Sequence, residues 1–252
     1  MEFGLEPYSF SIIVLGLAVG AFVKGLTGMG LPLVAAPLMA GFLGAEHAIV
    51  VMQIPCLFSN LWLVWRHRAE AKTTPVRYNM IIPGVLMTIV GVWFLDSASD
   101  DVTILLLAIA VAFFLALLIL NPTFRMEGII GRIGTFIASL IGGFCQGASG
   151  ISGPLFSTLI FSFRLNKEAH VYYNGLMFGL FHTVQIGAMI IFGMFTTQRV
   201  IEGCLVLIPA IIFQYLGMRL MGYVSRRFFN AAVIAVIVLM EIKLVSQGLG
   251  GW

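Results

Sequence analysis

Eight apolar stretches carry almost the whole chain, at roughly 9–45, 48–65, 78–95, 102–120, 133–163, 169–195, 203–224 and 228–247. None alternates with the two-residue period of a half-buried strand, and a bilayer crossing by a helix takes about 20 such residues. Charged residues make up only 10% of the chain against 60% hydrophobic ones, where a soluble domain carries about 25% charged. A chain so poor in charge cannot cover itself with polar surface, so its solvent is mostly lipid. In lipid, backbone amides must bond within the chain, which leaves helices or a closed barrel. Long runs without alternation select helices. The expected fold class is therefore an all-α polytopic membrane protein. The N-terminal run, which follows Glu2 and Glu6 rather than basic residues, reads as a membrane segment and not as a cleavable signal.

The first and fifth stretches each exceed 30 residues and are interrupted in the middle. The first break reads Gly25-Leu26-Thr27-Gly28-Met29-Gly30-Leu31-Pro32 and the second Gly147-Ala148-Ser149-Gly150-Ile151-Ser152-Gly153-Pro154. Glycine costs about 1 kcal/mol inside a helix and proline about 3 kcal/mol, so neither stretch is expected to run as one helix. An offset of 122 superposes the breaks, pairing Gly25 with Gly147, Thr27 with Ser149, Gly28 with Gly150 and Pro32 with Pro154. The same offset pairs Lys24 with Gln146, Glu46 with Glu168, and Asn60 with His182. An offset of 126 pairs Pro83 with Pro209 and Gly91 with Gly217. The chain is thus expected to hold two transmembrane repeats, 9–122 and 133–248. Paired Gly/Pro-interrupted segments in matching places are the sequence mark of a transporter's binding site.

Basic residues favour cytoplasmic loops. If each broken stretch is a re-entrant hairpin, each repeat has a hairpin and three crossings, and the repeats are inverted. With the N-terminus outside, Arg66, Arg68, Lys72, Arg77, Arg125, Arg132, Arg164, Lys167, Arg219, Arg226 and Arg227 lie inside, and only Arg199 and Lys243 lie outside. If the broken stretches each cross once, the best orientation splits these residues 8 against 5. The charge rule favours the hairpins.

Opposed hairpins bring their tips together from opposite faces. Helices starting near Pro32 and Pro154 offer free N–H donors and about half a positive charge at each N-terminus. Proline suits a first turn, where its missing N–H goes unpaired anyway. Glycines such as Gly28, Gly30 and Gly150 let the backbone approach a ligand. Thr27, Ser149 and Ser152 add hydroxyls, which makes the tips a donor-lined site suited to a small oxyanion. Lys24 is the one basic residue deep in an apolar stretch, a functional position by default, and a candidate to neutralise an anionic substrate; snorkelling to an interface is the alternative. Gln146 is its counterpart. Asn60 and His182 form a second matched pair, with Gln53, Asn174 and Gln185 on the same two segments. Asn174 and His182 are eight residues apart, near one helix face and about 12 Å along it. Helix-to-helix hydrogen bonding is the plain role for each of these amides taken singly. His182 is also a candidate proton carrier, because imidazole titrates near neutrality.

Other features carry less. Cys56, Cys145 and Cys204 read as small buried hydrophobes, with no metal-ligand spacing and no disulfide framework. Tyr172, Tyr173, Trp62, Trp65 and Trp93 fit an interfacial belt, and Glu46 and Glu168 fit helix N-termini. No acidic residue lies deep in an apolar stretch to orient a histidine as a triad requires, so no enzyme is expected. No G-x-x-x-x-G-K-[ST] string occurs, so a solute gradient, not nucleotide hydrolysis, is the expected energy source. No cofactor and no nucleic-acid partner are expected; the partners are the bilayer and a small anion, with a homodimer equally compatible with so apolar a surface.

Two halves of about 120 residues, each opening with a Gly-rich break that ends in Pro-Leu, resemble the TauE/SafE sulfite exporter family. The resemblance is carried by Gly25–Leu33 and Gly147–Leu155, followed by Leu43-Gly-Ala-Glu-His-Ala48 and Leu165-Asn-Lys-Glu-Ala-His170. It implies export of sulfite, sulfoacetate or related sulfur-containing anions across a prokaryotic cytoplasmic membrane, by alternating access of one repeat against the other. An anion channel or an importer of another small anion is the alternative on the same architecture. The family often carries three glycines in a row before the proline, where this chain has Met29-Gly30-Leu31 and Ile151-Ser152-Gly153.

Overall fold

The computed structural model describes residues 6–27, 30–72, 74, 76–120, 128–220, 238 and 242. Gly28, the eighth apolar stretch at 228–247 apart from Val238 and Ile242, and Arg125, Arg226, Arg227 and Lys243 lie outside them. Every regular element among the described residues is helical. The elements are α1 (Pro7–Thr27), α2 (Leu31–Leu43), α3 (Ala45–Val51), α4 (Gln53–Arg66), a 3-10 turn (Arg68–Lys72), α5 (Tyr78–Ser97) and α6 (Asp100–Leu120). There follow α7 (Gly128–Ser149), α8 (Gly153–Phe161), α9 (Lys167–Ile191), α10 (Thr197–Leu205) and α11 (Leu207–Leu220). Five spans are long and apolar enough to cross a membrane: Pro7–Leu26, Ala45–Arg66, Tyr78–Ser97, Lys167–Ile191 and Thr197–Leu220. The protein is an all-α polytopic membrane protein.

The outward faces fit lipid. On α5, Ile82, Leu86, Ile89 and Trp93 are exposed, and on α7 Ile133, Ile137 and Ile141. Their spacing of three or four residues draws an apolar stripe down each helix. Hydroxyls are turned back onto their own helices instead: Thr88 Oγ1 donates to Gly84 O at 2.8 Å, Thr135 to Gly131 at 2.8 Å and Thr183 to Gly179 at 2.8 Å. This satisfies each hydroxyl without water.

Both breaks fall where the sequence places them. Gly30 sits at φ 100° and Gly150 at φ 72°, in the left-handed region that favours glycine. Past each break the chain doubles back. A methyl group on Gly20 would meet Leu31 O at 2.6 Å, and one on Gly16 would meet Met39 Cγ at 2.7 Å, so α2 runs antiparallel against α1. Likewise Gly142 faces Phe156, and α8 runs antiparallel against α7.

The two hairpins leave from different ends of the bundle. α2 ends beside the start of α3, where Asp100 Oδ1 accepts from Ala45 N–H at 3.0 Å and Arg199 pairs with Glu46 at 2.5 Å. The starts of α3, α6 and α10 therefore share that end. α8 ends beside the first turn of α9, where Phe161 stacks on His170 at 4.2 Å. There Arg77 N–H donates to the Tyr173 hydroxyl at 3.1 Å, so α5 and α9 start together.

Packing between the halves is exchanged. α1 lies along α11, and α7 lies along α5. The two contacts are copies of one geometry. A methyl group on Gly25 would meet Gln214 O at 2.2 Å, Gly217 Cα at 2.9 Å and Met218 N at 2.9 Å. One on Gly147 would meet Thr88 O at 2.1 Å, Gly91 Cα at 2.8 Å and Val92 N at 2.8 Å. The offsets of 122 and 126 turn the second set into the first. Small residues let the backbones touch, which is how helices gain packing energy where lipid already solvates apolar side chains.

Several expectations change. Tyr172 and Tyr173 are buried inside the bundle and not in an interfacial belt, whereas Trp65 and Trp93 are exposed. Cys204 is exposed and Cys145 only partly buried, because the faces of α10 and α7 that carry them are turned outward. Glu46 and Glu168 do lie in the first turns of α3 and α9, as expected; Glu46 also pairs with Arg199, and the side-chain cap of α9 is Asn166, accepting from Ala169 N–H at 2.7 Å.

Candidate functional site

The tips of both hairpins and one face each of α4 and α9 enclose a partly open cavity. Its empty space, including the mouth, is about 450 Å³. The first half contributes Lys24, Gly30, Pro32, Cys56, Asn60 and Leu63; the second contributes Gln146, Gly150, Gly153, Asn174, Phe178 and His182. Four chemistry-bearing positions come as the two pairs related by the offset of 122, Lys24 with Gln146 and Asn60 with His182.

Lys24 reaches this cavity from the last turn of α1 and is 6% exposed. Its Nζ donates to Asn60 Oδ1 at 2.8 Å. No carboxylate among the described residues pairs with it. A buried charge ordinarily has a counter-charge or a full set of hydrogen bonds. Here the neighbour is a neutral amide, and Lys24 lines the cavity.

Around Lys24 the amides are oriented by backbone carbonyls, which only accept. Gln185 Nε2 donates to Gln146 O at 2.9 Å and Gly147 O at 3.2 Å, so its Oε1 is the atom facing Gln146 Nε2 at 2.9 Å. Gln146 Oε1 in turn accepts from Ser152 Oγ at 2.5 Å. Gln53 Nε2 donates to Ile49 O at 2.8 Å, so its Oε1 faces His182 Nδ1 at 2.7 Å. Asn174 Oδ1 accepts from Ser157 Oγ at 3.4 Å. Ser59 Oγ donates to Gln214 Oε1 at 2.6 Å, tying α4 to α11.

Two further donors are the helix starts themselves. α2 and α8 have no side-chain cap on their N-termini, and each carries its proline in the first turn. Gly30 at the head of α2 and Gly153 at the head of α8 both line the cavity. The free N–H groups and the positive end of each helix thus face the same space as Lys24.

Seven of the residues singled out from the sequence meet at this cavity: Lys24, Gly30, Asn60, Gln146, Gly150, Asn174 and His182. Ser149 and Ser152 do not face it. Ser149 Oγ donates to Cys145 O at 2.7 Å and accepts from Ile151 N–H at 3.3 Å, which stitches the second tip together. Ser152 is committed to Gln146. The Thr27 side chain and Gly28 lie outside the described residues. Phe178 is a wall residue that the sequence does not single out, and Cys56, expected as a small buried hydrophobe, is buried at the wall. Cys56 lies one turn before Asn60, and Phe178 one turn from both Asn174 and His182, so the i, i+4 spacing carried the signal.

Comparison with known proteins adds one finding. The family model described as Sulfite exporter TauE/SafE matches residues 12–244. No curated protein and no solved structure matches the chain. The match covers both halves and both tips, and the chain belongs to the sulfite exporter TauE/SafE family.

Proposed function

We propose that this member of the sulfite exporter family is a secondary transporter that exports small sulfur-containing anions, sulfite or organosulfonates, and that the anion sits in the cavity between the hairpin tips. The observation that carries this reading is Lys24: a buried cation with an amide neighbour and no carboxylate partner among the described residues. An anion beside it supplies the missing counter-charge. Asn60, Asn174, Gln146 and the uncapped starts of α2 and α8 supply neutral donors around the same space. In our reading Ser149 and Ser152 hold the second tip in shape.

The same reading makes the two halves inverted repeats. Their hairpins leave from different ends, and the Gly25–Gly217 and Gly147–Gly91 contacts follow one pattern. Alternating access then consists of one repeat rocking against the other around the cavity. The contacts between Glu46 and Arg199 and between His47 and Glu202 join the halves at one end and part when that end opens. The basic residues Arg66, Arg68, Lys72, Arg77, Arg164 and Lys167 gather at the other end, which we assign to the cytoplasm, with the N-terminus outside. The membrane would then be the cytoplasmic membrane of a prokaryote.

Thermal stabilisation of the purified protein by sulfite, sulfate, thiosulfate, sulfoacetate, taurine, phosphate and acetate tests the assignment, since a ligand of the native state raises its apparent stability. A selective rise with a sulfur oxyanion, absent in Lys24→Gln, is expected. Equal behaviour of all anions, or a rise that survives Lys24→Gln, overturns it.

A further inference from the structure

The polar groups of the cavity are not all donors. His182 lines it and is 2% exposed. Its Nδ1 lies 2.7 Å from Gln53 Oε1. That atom is the amide oxygen because the same amide's nitrogen donates to Ile49 O at 2.8 Å. An amide oxygen only accepts, so His182 Nδ1 carries the proton. In the neutral imidazole Nε2 is then a bare acceptor. Nε2 has no partner among the described residues, whose one sealed and unpaired side-chain polar atom is Thr74 Oγ1. Nε2 therefore opens onto the cavity.

The charges count as well. Among the described residues lining the cavity, Lys24 is the only Lys, Arg, Asp or Glu. One fixed cation matches one negative charge and leaves a second uncompensated in a buried site. We propose that the site is built for a small monoanion that carries its own hydrogen-bond donor. The negatively charged oxygens lie toward Lys24 and the amide donors, and a hydroxyl or protonated oxygen of the same molecule donates to His182 Nε2. Gln53 is the positioning residue that holds the imidazole in this tautomer. The inference rests on the anion-transport reading above and sharpens its substrate class: hydrogen-oxyanions and hydroxylated sulfonates over dianions and over sulfonates with purely apolar tails.

The test compares 2-hydroxyethanesulfonate with 1-propanesulfonate, which replaces the hydroxyl by a methyl group at similar size and charge. Binding to the full-length detergent-purified protein is measured by calorimetry at one pH. A site with a buried unpaired acceptor rejects the analogue that lacks the donor. The hydroxylated anion is expected to bind about tenfold or more tightly, and sulfate weakly. His182→Phe should bring the two sulfonates together, while His182→Gln, which keeps an acceptor, should restore part of the preference. The melting temperature of each unliganded variant checks folding. Equal affinities in the wild type overturn this inference and leave the anion site standing. So does a preference that survives in a folded His182→Phe protein. If neither sulfonate nor sulfite binds the wild type, the transport reading itself fails, and this inference with it.

Discussion

Gly25 and Gly217 lie back to back, so that a methyl group on either would come within 3.0 Å of the Cα of the other. Gly147 and Gly91 repeat the relationship in the other half, at 2.8 Å in both directions. Each contact joins a broken hairpin to a membrane-spanning helix of the opposite half. The tips that line the cavity are thereby packed against the opposite half as well as hydrogen-bonded within their own.

Enlarging these glycines should loosen the whole assembly. Gly25→Ala or Gly147→Ala must push backbone against backbone, and overpacking of this kind costs about 1–3 kcal/mol. The apparent melting temperature in detergent should fall clearly. Gly187→Ala is the control, because nothing lies within 4 Å of its added methyl group, and alanine favours a helix interior by about 1 kcal/mol. It should be neutral or stabilising.

Lys24 is expected to matter for ligand more than for fold. Lys24→Gln keeps a donor for Asn60 but removes the charge. Losing one partner of a buried ionic contact costs about 2–5 kcal/mol, which is at least about 30-fold in anion affinity. Titration calorimetry with sulfite reads this directly, and the unliganded melting temperature should hold or rise, since an unpaired buried cation is gone.

Ser152→Ala should behave in the opposite manner. It removes the 2.5 Å contact to Gln146 Oε1 without removing a cavity charge. A net loss of about 1 kcal/mol in stability is expected, with a change in anion affinity smaller than that of Lys24→Gln.

Much of this site was legible in the sequence, and its limits are physical. The breaks announced themselves because Gly30 and Gly150 need left-handed backbone and Pro32 and Pro154 cannot continue a helix. The matched pairs Lys24/Gln146 and Asn60/His182 were visible because polar residues are rare in these segments. Ser149 and Ser152 were over-read: a hydroxyl at a helix end has a carbonyl or amide of its own chain within reach, and nothing in its spacing says which it takes. Cys56 and Phe178 were under-read because an apolar side chain on a buried face looks the same whether it meets a neighbour or a cavity. The exchanged packing of α1 on α11 and α7 on α5 was hidden for a related reason. Apolar stripes in lipid do not choose partners; close-fitting small residues do, and only the structure shows which glycines meet.

The orientation proposed from the basic residues has a direct test. Cysteine introduced at Leu165, beside Arg164 and Lys167, should react with an impermeant maleimide only from the cytoplasmic side. Cysteine at Ala98, in the Ser97–Asp100 turn, should react only from outside. The reverse pattern would invert the assigned orientation.

Passage of a sulfur anion across the membrane through the cavity at the hairpin tips is open to direct measurement. Radiolabelled sulfite flux through proteoliposomes containing the purified protein measures it most directly. Saturable flux is expected in wild type, well above empty vesicles, and it should be lost in a folded, correctly inserted Lys24→Gln protein. Flux no greater than that of empty vesicles, or flux unchanged by Lys24→Gln, would contradict passage through this cavity.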